Sequence, residues 1–344
     1  MSKVKTVVKA GPGQVELIDR ELPGPKPGQA LIRTTLSTVC GSDLHMVDDF
    51  PMAPAGQPQG HEAVGIVEDV GEGVTRIKKG DRVVTSCLIG CGHCHVCLAG
   101  DLCMCRTYKA PMNVLFGCQA EAFVVNSADL NMAVVPKDLS DKQALFTGDI
   151  MSTGFAAIER AHLKPGQSVA IFAQGPVGLC ATAAAKFYGA SRIITVESVP
   201  ERVAMSKKLG ATDVVDPEGA VDKIKELTKN QGVDVAVEAL GREVTLESCL
   251  KVIRHGGTVS SVGVYPNMKA FSLPVNAIFS QFTFVTSMCP GGTERLNYLL
   301  GLIQSGKVDL TPLWTHDRKL SDIANVYEMF RKRQDGALKI ALTS

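Results

Sequence analysis

Four cysteines, Cys91, Cys94, Cys97 and Cys105, stand as C-x2-C-x2-C-x7-C inside one fifteen-residue stretch. That spacing lets four thiolates of a single loop converge tetrahedrally on Zn2+, at about 2.3 Å each. Four thiolates fill the coordination sphere and leave no position for substrate. Such an ion would be structural, holding together a loop too polar and Gly-rich to pack unaided. A redox cluster and a set of unligated cysteines are the rival readings. Cys103 is an intruding fifth thiol in the stretch, while His93 and His95 read as surface histidines, because four thiolates suffice.

The chain holds eleven cysteines. In a secreted protein they would suggest a disulfide scaffold, but the number is odd and five crowd into the lobe, which reads as metal binding in a reducing compartment. The first residues, MSKVKTVVKAGPG, alternate charged and apolar types and lack the pattern of a secretory signal. No window reaches the ~18 uninterrupted apolar residues of a membrane helix. A cytoplasmic protein is the expectation. With 36 basic and 35 acidic side chains the formal charge is +1, so no electrostatic footprint for nucleic acid or an anionic membrane follows.

At 344 residues the chain exceeds one ordinary core and suits two domains. Up to about residue 150, short β-type runs (ALIRTTLSTV, AVGIVEDVG, DRVVTS, EAFVVN) are broken by Gly and Pro turns, the pattern of a mostly antiparallel, barrel-like unit. From Gln167 short apolar strands (SVAIFA, RIITVE, VDVAVEA, GGTVSSVGV) alternate with helix-length segments, which predicts parallel βαβ packing. The tail after about Pro290 holds the amphipathic TERLNYLLGLIQSGK and a strand-like ALKIALTS. A final strand commonly rejoins an earlier sheet, so the expected domains are 1–152 with 290–344, and 153–289.

A second constellation is spread wider: Cys40 in VCGSDLH, His61 and Glu62 in QGHEAVG, and Asp149 in TGDIMSTG. Each is weak alone, since a lone Cys or His more often packs than ligates. The order Cys-x-Ser-x-x-His, Gly-His-Glu, four-cysteine lobe and nucleotide-binding pattern resembles the zinc-dependent medium-chain alcohol dehydrogenase family over essentially the whole chain. GDIMSTGFAA and Cys289-Pro290-Gly291-Gly292 are similar to its bacterial and archaeal secondary alcohol dehydrogenase branch, where an aspartate replaces a cysteine ligand. The resemblance implies an α/β architecture, a GroES-like mostly-β catalytic domain with a doubly wound Rossmann domain.

It also implies two Zn2+ per chain, one structural and one catalytic. Cys40, His61 and Asp149 would be the protein ligands of the catalytic ion, leaving the fourth position open for substrate. A cation there lowers the pKa of a bound alcohol and, in reverse, polarises a carbonyl. Asp149 has an alternative reading as the N-cap of a helix over IMSTGFAAIERA. Glu62 either ligates directly when substrate leaves or tunes the metal from behind a ligand. Ser42 and His45 match the family's hydroxyl-to-imidazole proton relay; the alternative is a turn serine and a surface histidine.

For the cofactor, Ala173-Gln174-Gly175-Pro176-Val177-Gly178 reads A-x-G-x-x-G where the dinucleotide fingerprint has a first glycine. A strand precedes it and a helix follows, so pyrophosphate can meet the helix N-terminus. Glu197 closes the next strand, where an acid accepts from the ribose hydroxyls and repels a 2′-phosphate. NAD is therefore expected over NADP, with Arg202 the residue that opposes it and Val199 bringing no phosphate-binding charge. The alternative for Glu197 is a solvent-exposed strand-end charge. Gly41 stands where some family members carry a basic pyrophosphate contact; Lys339 is near a cofactor-facing basic position, or is a solvated lysine.

The expected activity is hydride transfer between NAD(H) and an alcohol, preferably secondary, or its ketone. A polyol or amino-alcohol dehydrogenase of the same fold is the alternative. A zinc-free reductase and a metal-storage or nucleic-acid role are disfavoured by the four ligand candidates and the lack of a basic stripe. Leu88, Leu115 and Cys289 are candidate apolar pocket walls. A homotetramer follows from the prokaryotic-type relatives, with LPVNAIFSQFTFVTS as a candidate interface segment.

Overall fold

The computed structural model describes residues 2–48, 53–108, 113–265, 270–273 and 277–344. The chain separates into two compact units, Met1–Ser152 with Cys289–Ser344, and Thr153–Met288. The expected fold class is borne out: a mostly antiparallel β unit and a parallel α/β unit.

In the first unit, strand Ala30–Thr38 pairs antiparallel with Ala63–Val70, which pairs with Arg82–Thr85, which pairs with Met132–Val134. Alternating burial along Ala30–Thr38 turns Ala30, Ile32 and Leu36 inward, as a strand with one packed face requires. Ala30 and Ile32 join Val67, Val83, Ile89, Leu115, Phe123 and Met132 in one apolar core. Leu115 is buried within that core.

The C-terminal strand Lys339–Thr343 pairs antiparallel with Ala30–Thr38 through Ala341–Thr38 and Leu342–Ser37, and parallel with Trp314–Lys319. Trp314 stacks on Phe146, with ring centroids 4.7 Å apart, and its indole N–H donates to Lys142 O at 2.8 Å. An aromatic pair of this kind adds ~0.5–1.5 kcal/mol beyond its area burial.

Register decides what lies at one end of this sheet. Ser37 opposes Ala63, and Val64 opposes Val84. Running each strand on by a few residues brings Cys40, the His61-Glu62 pair and Cys87 to the same edge. The Ala341–Thr38 pairing brings Lys339 there as well.

In the second unit six strands lie parallel. Their order is Asp213–Val215, Arg192–Val196, Ser168–Phe172, Val233–Glu238, Ile253–Ser261, Thr283–Thr286. The four residues Val169, Ala170, Ile171 and Phe172 are all buried, the continuous apolar run of a strand covered on both faces. No helix among the described residues is long and apolar enough to cross a membrane.

Candidate active site and metal centres

The cysteine lobe is built almost entirely from its own loop. Cys91 Sγ lies 3.9 Å from Cys97 Sγ, and Cys94 Sγ lies 3.9 Å from Cys105 Sγ. Sulfurs bound to one tetrahedral zinc at ~2.3 Å stand about 3.8 Å apart, so the four thiols are already spaced for the ion. Burial opposes ionisation of Cys91, but the Thr107 hydroxyl, 3.0 Å away, and the His93 and Cys94 amides bring it down to about 5. Cys97 is pushed up to about 12 by burial. Four thiolates this close demand a cation to neutralise them. The loop is tied down by Asn131, whose side chain exchanges two 2.8 Å hydrogen bonds with the backbone of Gly90.

The second cluster draws on three separate segments. Cys40, His61, Glu62 and Asp149 have ligand atoms within 4.8 Å of one another. Cys40 Sγ is 3.7 Å, and His61 Nε2 3.3 Å, from Asp149 Oδ2. Tetrahedral zinc with ordinary bond lengths separates S from O by about 3.6 Å and N from O by about 3.3 Å, so these spacings fit the ion too. Gly60 makes the approach possible: its φ is +84°, and a Cβ there would sit 2.4 Å from Gln119 Cγ.

Electrostatics agree with a cation site. Burial and the charge of Asp149 push the Cys40 thiol up, so a thiolate needs a positive partner. Burial disfavours an imidazolium at His61, yet Asp43 and Asp149 together hold its pKa well above the ordinary range. Asp149, despite its burial, is held at about 2 by the hydrogen bond and charge of His61 and by the charge of Lys339. Glu62 Oε2 is buried with no hydrogen-bond partner, an orphan acceptor facing the same cluster.

Asp43 went unnoticed in the sequence, although it lies three residues after Cys40 in the same motif. Its Oδ1 is 3.0 Å from His61 Nδ1, which leaves Nε2 for the cluster, and its Oδ2 accepts from the Cys40 amide at 2.9 Å. Gln119 Nε2 donates to the same oxygen at 3.1 Å, and Tyr327 Oη donates to Gln119 Oε1 at 2.9 Å. A carboxylate on the distal nitrogen fixes a ligand histidine's tautomer and orientation.

Ser42 Oγ sits 3.3 Å from His61 Nε2. His45 follows three residues later on helix Gly41–Asp48, on the neighbouring face position. Lys339 departs from the sequence reading. It is neither solvated nor open to a cofactor: its fully buried amine donates to Glu62 Oε1 at 2.6 Å. The sheet register carries the C-terminal strand inward at that residue, and a buried ammonium takes the nearest carboxylate. Cys289 lies within 4.8 Å of Asp149 and Cys87, and Leu88 is buried beside them in sequence.

In the second unit, helix Pro176–Phe187 starts directly after strand Ser168–Phe172, with Gly175 at its N-cap and Pro176 in its first turn. A Cβ on Gly175 would meet nothing within 4 Å, whereas one on Gly178 would lie 2.0 Å from Ala173 O. The first glycine keeps the helix N-terminus open to an anion; the second permits close packing of helix on strand. Ala173, at the position of the missing glycine, adopts φ +73°. The turn is therefore the one the fingerprint needs, made with a residue that is strained in it. These features suit a dinucleotide pyrophosphate. Glu197 is buried and accepts from the amides of Gln174, Ser198 and Val199 at 3.1, 2.9 and 3.1 Å, with Arg202 3.8 Å away. It is not the solvated strand-end charge of the alternative reading.

A cluster of metal-ligating side chains, carried by a chain that also holds a dinucleotide-type fold, is the equipment of a metal-dependent dehydrogenase. Residues 26–137 match the family model of the alcohol dehydrogenase GroES-like domain, and 176–305 that of the zinc-binding dehydrogenase. An alcohol dehydrogenase of Cupriavidus necator is 38% identical, over 98% of both chains. An NADP-dependent isopropanol dehydrogenase of Thermoanaerobacter brockii is 34% identical over 95% of this chain and 96% of its own. Among solved structures, zinc dependent alcohol dehydrogenase 2 from Streptococcus pneumonia matches with a TM-score of 0.91 and 35% identity, over 99% of this chain and 98% of the other. The chain belongs to the zinc-dependent medium-chain alcohol dehydrogenase family. It is an oxidoreductase of alcohols and carbonyl compounds that uses zinc and a nucleotide cofactor.

Proposed function

We propose that this enzyme interconverts small or medium secondary alcohols and their ketones with NAD(H), in a cytoplasmic homotetramer carrying two zinc ions per chain. The observation that carries the reading is the Cys40, His61 and Asp149 set, whose spacing suits an ion held by three ligands with one position to spare. Bound zinc would supply the Lewis acid that acidifies an alcohol or polarises a carbonyl. Around it, Asp43 holds His61 in the ligating tautomer, and Lys339 holds Glu62 to one side. Ser42 accepts the alcohol proton and His45 passes it outward, three residues along the same helix. The lobe cysteines Cys91, Cys94, Cys97 and Cys105 take the structural ion.

Gly175, Pro176, Val177 and Gly178 present the helix N-terminus to the pyrophosphate. An anionic Glu197 at the end of the second strand disfavours a 2′-phosphate, which speaks for NAD, although the T. brockii relative is named for NADP. The isopropanol in that name supports a secondary alcohol. Phe271, Leu273 and Phe279 are exposed, at 39, 53 and 78%, which supports an apolar subunit contact; residues 274–276 of the candidate interface segment lie outside the described ones. Reduction of NAD or NADP is measured against a panel of secondary alcohols, polyols and amino alcohols, with zinc counted on the same sample. Secondary alcohols with NAD are expected to respond most strongly. A preference for polyols or amino alcohols, or for NADP, overturns the corresponding part.

A further inference from the structure

Of the six cysteines that neither zinc cluster uses, two stand together with a carboxylate. Cys87 follows strand Arg82–Thr85, and Cys289 stands shortly before helix Thr293–Gln304. Both are buried, at 4 and 6% exposure, and both are free thiols. Their sulfurs and a carboxylate oxygen of Asp149 lie within 4.8 Å of one another. The frame is tied as well: the Cys87 amide donates to Gly148 O at 3.0 Å, and Cys289 Sγ lies 3.5 Å from Asp149 O. Thiols placed only to fill a core would face apolar neighbours; these converge on each other and on an anionic oxygen.

We propose that Cys87, Cys289 and Asp149 form a third metal site, adjoining the catalytic one, that takes a thiophilic d10 cation such as Cd2+ or excess Zn2+. Two thiolates select soft ions over hard ones. Uptake of a divalent ion forms two metal–sulfur bonds and releases both thiol protons, so the thiolate pair cancels the added charge. That cancellation limits repulsion from an ion held at Cys40 and His61. Asp149 is the shared element, and a carboxylate can bridge two cations ~3.5–4 Å apart. A third ion draws on the oxygens that hold the catalytic one, so excess thiophilic metal inhibits the enzyme. The site itself does not rest on the substrate or cofactor proposed above.

The zinc-loaded full-length enzyme is titrated with Cd2+ in weak buffer. Thiolate-to-cadmium charge-transfer absorption, proton release and both metals per chain are recorded. One cadmium gained with no zinc lost, and about two protons released, is expected. Cys87→Ser and Cys289→Ser should each weaken that uptake at least ~100-fold, because a hydroxyl is a poor ligand for a soft ion. Cadmium entering only in exchange for zinc, or uptake equal to wild type in both variants, overturns the proposal. Should a variant not fold, wild-type enzyme is alkylated with and without Cd2+ and its peptides are weighed. Protection confined to Cys87 and Cys289 is the supporting result, and equal labelling overturns it.

Discussion

The two clusters of the catalytic unit use similar chemistry and are assembled in opposite ways. The lobe takes its four donors from Cys91–Cys105, a loop short enough that spacing alone brings them together. The open cluster takes Cys40, His61, Glu62 and Asp149 from segments up to 109 residues apart, and only sheet register and the Gly148–Cys87 backbone contact make them neighbours. A closed site can be local because it need only satisfy its ion. An open site must also leave a position free, and the fold has to hold its ligands around that gap.

The sharpest test of this independence is a reciprocal pair. Asp149→Ala should lose the catalytic ion, keep the lobe ion and lower turnover by at least ~100-fold, since even residues behind a ligand cost 10–100-fold. Cys97→Ser should instead lose the lobe ion, with stability falling by several kcal/mol, on the order of a structural zinc's share of folding energy, while the other cluster still binds zinc. Metal counts by mass spectrometry with thermal melts decide it; loss of both ions from either variant would join the two sites into one cooperative unit.

Asp43→Asn is a finer probe. Weakening its hold on His61 Nδ1 should reduce metal affinity at the open cluster by ~10–100-fold and leave the lobe unchanged, as followed by chelator competition. An unaltered affinity would make Asp43 a packing residue.

The smallest effect concerns a tertiary join that needs no metal. Asp129 binds the amides of Thr75, Arg76 and Ile77 at 2.7, 2.8 and 3.2 Å. Burial pushes its pKa up, but these amides and the Thr75 hydroxyl push it further down, below the ordinary value. The folded pKa being the lower one, its contribution is complete above the unfolded value of ~3.9 and is lost as pH falls through the folded one. Melting of Asp129→Asn should therefore lie below wild type at neutral pH, and the gap should close under acid. A gap independent of pH would mean that the charge is not what matters.

Legibility followed the same division. Strands such as Ala30–Thr38 and Ser168–Phe172 were visible as alternating or continuous apolar runs, because burial on one face or two is written in residue order. Asp43 was hidden because a lone acid in a helix has many possible partners. Asn131, forty residues from the loop that it anchors, carries no local signal at all. Lys339 misled, since a lysine reads as solvated unless the sheet around it is known. Ala173 was readable as a departure from the glycine fingerprint, but its φ of +73° shows that the turn survives without the glycine.

By itself the sequence determined the closed four-thiolate loop, the two fold types and the family, because each is encoded in short-range spacing or in periodic burial. Tertiary structure alone decided which face of Asp149 meets Cys40 and His61, why Lys339 is spent on Glu62, and that Cys87 and Cys289 converge on the same carboxylate. Those are outcomes of strand register and backbone pairing between distant segments, and no local pattern of residues records which strand will lie beside which.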